Sequence, residues 1–255
     1  MIRESLSQLP GARAGHFRLR GESPGRLENF SDAVFALAIT LLLISTSPPT
    51  NFTQIKKFLF DLIPFILCIT LILLIWYQHF IFFFRYGLRN ITMIVYNTAF
   101  LIIVLFYVYP LKFLMKMSLF PIAYLFDIDW LRSDLMQMIN GRDMADLMII
   151  YGVGAGSVFL ILMLMYRYAL SKKDELELNE IETFDTRVAI RTNLLLGSVP
   201  LLSAVVALVL HRHMLAGLFS GFTYFLYFPV MLVHGNRVDK QRSQLLAQAA
   251  EDSIG

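Results

Sequence analysis

One cysteine is all that 255 residues supply, and Cys68 lies inside an apolar run. That excludes a disulfide framework and a cysteine metal site. Charge is scarce as well: Asp, Glu, Lys and Arg make up 16% of the chain, against roughly 25% in soluble domains. Neither sign dominates, since 22 basic and 19 acidic residues leave a formal +3, which gives no reason to invoke nucleic acid. Catalytic signatures are missing too. There is no HExxH, GxSxG or Walker loop, and no GxGxxG framed by strand and helix, so an enzyme is not expected. His211 and His213 share a loop without an acidic or cysteine neighbour to complete a metal site, and neither metal nor cofactor is expected. Residues 1–25 are polar and Arg-rich, without the apolar centre of a signal peptide. They read as a flexible cytoplasmic lead-in before a retained first helix.

What is present is hydrocarbon. Hydrophobic residues form 57% of the chain, with 22 phenylalanines and 12 methionines. One soluble core of this length could not hide that much apolar surface, so the chain is expected to live in a lipid bilayer. Six continuous apolar runs fall at about 27–47, 56–84, 90–115, 146–170, 189–211 and 214–235. Each is near or above the ~20 residues that a helix needs to cross ~30 Å of hydrocarbon. The runs are continuous and do not alternate, which argues for helices against strands. The expected fold is all-α with six transmembrane helices. With the N-terminus inside, the inner loops hold about twice as many Lys and Arg as the outer ones, Arg85, Arg89, Arg167, Lys172, Lys173, Arg187 and Arg191 among them. Both termini are therefore expected on the cytoplasmic side of the cell (inner) membrane.

Local chemistry bounds the elements. Ser23-Pro24 has the form of a helix start, and Pro48-Pro49 after Ser45-Thr46-Ser47 that of a stop. Residues 116–145 hold four aspartates and Trp130, with Asp146 just beyond, and read as a solvated outer loop, with a short interfacial helix as the alternative. Lys172 to Phe184 reads as a charged cytoplasmic extension of the neighbouring helices. Pro200 is expected to kink the fifth span, and Gly217, Ser220 and Gly221 to let the sixth pack closely. The reading is one six-helix domain over 26–236, with a cytoplasmic tail over 237–255.

The first span carries the polar chemistry. Arg26, Glu28, Ser31 and Asp32 stand at its mouth, where charge close to hydrocarbon is costly and marks a functional site by default. Arg26 and Asp32 are six residues apart, about 120° around a helix, so each needs a partner on another element. Farther along, Phe30, Ala33, Leu37, Leu41 and Ile44 share one narrow face, with Thr40 at its edge. That face suits packing against lipid or the bundle, a seam between subunits, or a pore lining that gates by dewetting. Trp76 and His79 lie late in the second span, at the level of Asp32, and a contact between His79 and Asp32 is plausible. Asn97 in the third span needs an interhelical partner.

The order Arg26-x-x-x-Phe30-Ser31-Asp32 at the start of the first of six helices resembles the signature of the transmembrane protein 175 family of potassium channels. Trp76, His79, Asn97 and Pro110 fit that family's general pattern. The resemblance implies a pore lined by the first helices of the subunits, without the P-loop filter whose TVGYG sequence is absent here. It implies a homotetramer, as in the prokaryotic members with one six-helix unit. By the same resemblance Leu37 is the constriction, Leu41 and Ile44 the next pore layers, and Thr40 the hydroxyl layer. Arg26, Phe30, Ser31, Asp32, Trp76 and His79 form the motif's supporting network. The partners implied are permeant potassium ions and the lipid bilayer. An ion- or proton-coupled secondary transporter using Asp32 and His79 is the alternative reading, and a non-conducting scaffold a third.

Overall fold

The computed structural model describes residues 17–44, 50–139, 143–211, 213 and 215–252. Within them the elements are α1 (Arg26–Ile44), α2 (Phe52–Tyr86), α3 (Ile91–Met117), α4 (Phe120–Leu125), α5 (Asp129–Met138), α6 (Asp143–Ser171), α7 (Glu180–Val209), α8 (Ala216–Phe222), a 3₁₀ turn (Thr223–Leu226) and α9 (Tyr227–Asp252). The described residues contain no strand. Six helical stretches are long and apolar enough to cross a membrane, α3 with α4 counting as one and α8 with α9 as another. All six expected spans are present. The expected stop at Ser45 to Pro49 lies outside the described residues, as do Arg142 and Arg212.

Several boundaries moved, each for a visible reason. The first helix begins at Arg26, not at Ser23-Pro24. The Glu28 carboxylate reaches back to accept the Gly25 N–H at 3.0 Å, while the Arg89 guanidinium occupies the Ser23 carbonyl. That is the reciprocal half of a capping box, and it removes Ser23 from the cap. At its other end, α2 closes on Gly87, whose φ of 59° lets its N–H reach the Phe83 carbonyl at 2.9 Å. A side chain there would be strained. The charged stretch after α6 is a turn that ends at Asn179, which forms a full capping box with Glu182. At the C-terminal side α9 runs without interruption from Tyr227 past residue 236 to Asp252. The outer segment folds into α4 and α5 over a small core of Leu119, Ala123, Leu131 and Leu135. Trp130 packs edge-on to Phe60 of α2 at 5.1 Å, so this segment is docked and not merely solvated. Its aspartates are paired as well. Asp134 meets Lys116 at 3.3 Å and Lys57 at 3.8 Å, and Arg132 holds Asp127 and Asp129.

The main core is built from α1, α2, α3 and α6. Val34, Phe35, Ala38 and Leu42 of α1 interlock with Ile72 and Phe82 of α2, Phe100 and Val104 of α3, and Leu162 and Met165 of α6. Alongside it α6 and α7 lie in close contact. A Cβ on Gly152 would meet the Pro200 carbonyl oxygen at 2.3 Å and the Ala204 methyl at 2.7 Å, so only glycine admits this approach. Little else is covered: at most 39% of any span's apolar stretch is buried within the chain. The remaining apolar surface faces lipid or other chains.

Candidate ion pathway and its supporting network

The site is assembled on α1, whose sequence is apolar nearly all round. Its inward face, Ser31, Val34, Phe35, Ala38 and Leu42, follows the helical repeat and is buried against α2 and α3. The stripe singled out from the sequence lies on the other side. Phe30 is 62% exposed, Leu37 49% and Ile44 72%, and Ala33 and Thr40 are exposed with them. Leu41 departs from the set: it is half-buried and packs against the core. Thr40 donates its hydroxyl hydrogen to the Ala36 carbonyl at 2.8 Å. Its donor is thereby spent, and its oxygen lone pairs stay available on the uncovered side.

Behind that stripe the polar residues join three helices. His79 Nε2 of α2 lies 2.6 Å from Asn97 Oδ1 of α3, buried. The Asn97 amide donates to Ser31 Oγ at 2.9 Å, and Ser31 in turn donates to the Leu27 carbonyl one turn back at 2.8 Å. With the Asn97 carbonyl turned to the ring, His79 Nε2 must carry the hydrogen. The ring stacks on Phe100 at 5.2 Å, so it is packed as an aromatic and bonded as a donor. Asp32 takes a separate partner, accepting from Trp76 Nε1 at 2.8 Å. The expected direct contact between His79 and Asp32 is not made, because Asn97 and Trp76 each reach their partner first. Arg26 and Phe30 stand outside this network. Both are exposed, and among the described residues the Arg26 guanidinium has no hydrogen-bond partner.

Each end of α1 has a further anchor. At the Arg26 end, Glu28 pairs with Arg89 at 3.1 Å. Ahead of it, residues 17–25 are not a free lead-in. Phe17 is buried edge-on to Tyr86 at 5.6 Å, and the Gly21 N–H donates to the Phe84 carbonyl at 3.1 Å. Arg20 bonds Glu182 of α7 at 2.8 and 3.1 Å. At the Ile44 end, Lys112 of α3 donates to the Leu42 carbonyl at 3.2 Å. α1 has no basic residue in its last turn, so Lys112 supplies from another helix the cation that a helix C-terminus favours. Sequence reasoning missed these anchors. Glu28 had a local signal, its capping-box spacing after Gly25. Arg20 with Glu182, and Lys112 with Leu42, had none, since their partners are far apart along the chain. His211 also acquired an acidic neighbour, Asp146 of α6 at 2.8 Å. The described residues nevertheless hold no group of three metal-ligating side chains.

Six membrane-length helices, with a buried polar network supporting an uncovered apolar stripe, define a multi-pass membrane protein. Comparison with known proteins takes this further. Residues 26–108 match the family model described as the endosomal/lysosomal potassium channel TMEM175. The chain is 43% identical over 234 residues to a protein of Marivirga tractuosa named potassium channel, covering 91% of this chain and 94% of that one. It also superposes on the crystal structure of a Thr-to-Ala variant of the potassium channel MtTMEM175, solved with a nanobody–MBP fusion. The TM-score is 0.80 at 43% identity, covering 88% of this chain and 97% of that one. The chain belongs to the TMEM175 family.

Proposed function

We propose that this chain is a potassium-preferring cation channel of the cell (inner) membrane. In this reading it is a homotetramer with both termini cytoplasmic, and the α1 helices of its subunits line the pore. The observation that carries the reading is the uncovered stripe of α1. An apolar helix buried on one face and pinned at both ends still leaves Leu37 and Ile44 bare, and a ring of such faces makes a hydrophobic constriction. Leu37 is the narrowest layer, with Leu41 and Ile44 beyond it. The Thr40 oxygens offer the acceptor that a partly dehydrated cation needs. Stripping water from a cation costs less for potassium than for sodium, so a leucine ring favours potassium modestly without a P-loop filter. The relatives named potassium channels support the choice of ion. Ser31, Asp32, Trp76 and His79 hold α1 from behind. Arg26 and Phe30, exposed on a single chain, face neighbouring subunits. The channel domain is residues 26–236, preceded by the segment 1–25 and followed by the tail 237–255. No cofactor is required.

Flux through the purified protein in liposomes tests this. Leu37→Ala should raise potassium flux or lower the preference over sodium. Flux and selectivity both unchanged from the parent chain would remove Leu37 from the pathway.

A second reading, ion- or proton-coupled transport, has one observation in its favour. A cavity of about 30 Å³ is lined by Glu28, Asp32 and His79, enough for a water molecule beside groups that can exchange protons. Saturable exchange at fixed stoichiometry, in place of a conductance, would select it.

A further inference from the structure

Away from α1, an open groove of about 670 Å³ lies between the first turns of α7 and the far part of α9. Arg187 and Arg191, one turn apart on α7, line it together with Gln241 and Gln244 of α9. Val188 and Leu245 give it apolar walls, and no carboxylate lines it. The nearby acid Asp185 is drawn to Arg242 at 3.4 Å, and Glu182 to Arg20 at 2.8 Å. Among the described residues neither Arg187 nor Arg191 has a hydrogen-bond or ion-pair partner. Like charges one turn apart repel, and no carboxylate lining the groove offsets that repulsion.

The depth of the groove is informative. Arg191 lies three residues before Leu194, which at 53% is the first exposed large hydrophobic residue of α7. At 1.5 Å per residue the guanidinium level is about 5 Å from the hydrocarbon, the layer that lipid phosphates occupy. We propose that this groove binds the phosphate of an anionic phospholipid. Arg187 and Arg191 grip the phosphate oxygens as forked donors, and the glutamine amides reach the headgroup. Val188 and Leu245 lie along the glycerol and the start of the acyl chain. Those apolar walls favour a lipid over free phosphate. The inference depends on the chain spanning a bilayer and not on which ion it conducts.

Native mass spectrometry of the full chain in nonionic detergent, titrated with phosphatidylglycerol or phosphatidylcholine, tests it. Phosphatidylglycerol should be retained preferentially. R187Q/R191Q should weaken that retention roughly tenfold or more, from two lost surface cations, while R187K/R191K keeps most of it. Should the glutamine pair fail to fold, Val188→Glu leaves both arginines and introduces a repelling charge, and must weaken binding likewise. Millimolar inorganic phosphate should displace none of the lipid. Equal retention of the two lipids, undiminished phosphatidylglycerol binding in the altered chains, or displacement by free phosphate would each overturn the proposal.

Discussion

Asn97 does more than any other single residue to organise the polar interior, since its one amide serves two helices at once. It accepts from His79 and donates to Ser31. A buried donor left without its acceptor costs ~1–3 kcal/mol in water-soluble proteins. Polar contacts between membrane helices average nearer ~0.6 kcal/mol, because the unfolded chain in lipid also finds partners. Asn97→Leu, which keeps the branched shape without the polar atoms, should therefore destabilise by about 1 kcal/mol, read as a lower unfolding temperature in detergent. Asp32→Ala removes only an exposed acceptor, the partner of Trp76 Nε1, and should cost less. If the two variants unfold in the reverse order, His79–Asn97–Ser31 is not the principal polar tie. The need of Asn97 for a partner was legible in the sequence, because an amide in an apolar run cannot be left unbonded. Its partners were not legible, because periodicity says which way a side chain points and not what waits there. Asp32 and His79 show the same limit: both sit at one level, and each is claimed by a different neighbour.

At the scale of the element, α1 is unusual in having two apolar faces of which the chain covers one. The covered face carries the small and aromatic residues Ala38 and Phe35, and the bare one carries Leu37 and Ile44. Such a helix would drift if only packing held it. Glu28–Arg89 fixes one end and Lys112 the other. Lys112→Met keeps the aliphatic stem and removes the donor. Amide hydrogen exchange should then accelerate in the last turn of α1, with Lys112→Arg largely restoring protection. Exchange that stays slow in the methionine variant would show that packing alone holds this end. The stripe itself was readable from sequence, since a period of 3.6 selects it. Which of the two faces would be buried was not, because both are apolar and hydropathy does not separate them.

For the molecule as a whole, the segment 17–25 straps α1 to α2 and α7. Its central tie is the Arg20–Glu182 pair, with side chains 12% and 1% exposed. Removing one partner of a fully buried pair costs ~3–5 kcal/mol. Arg20 also donates to the carbonyls of Leu176, Arg18 and Glu177, so Glu182→Gln should cost less than that. It should still loosen the strap, and trypsin should cleave after Arg18 and Arg20 sooner than in the parent chain. An unchanged digestion pattern would mean that Phe17 and the backbone bonds suffice. The strap was unreadable in advance: a short polar stretch has no periodicity, and its acceptor lies about 160 residues away.

What the sequence determined by itself was everything that depends on solvent and period. Composition and run length dictated a membrane protein of six helices. Helical spacing selected the Leu37–Thr40–Ile44 face, and the Arg26-x-x-x-Phe30-Ser31-Asp32 order pointed to the family. Tertiary structure alone decided the pairings: Asn97 between His79 and Ser31, Lys112 on the last turn of α1, Arg20 on Glu182, and two arginines brought beside α9 without an acid. Hydrophobic burial is non-directional and can be counted along a chain. Hydrogen bonds and ion pairs act over a few ångströms and in fixed directions, so only the folded arrangement of distant segments settles them.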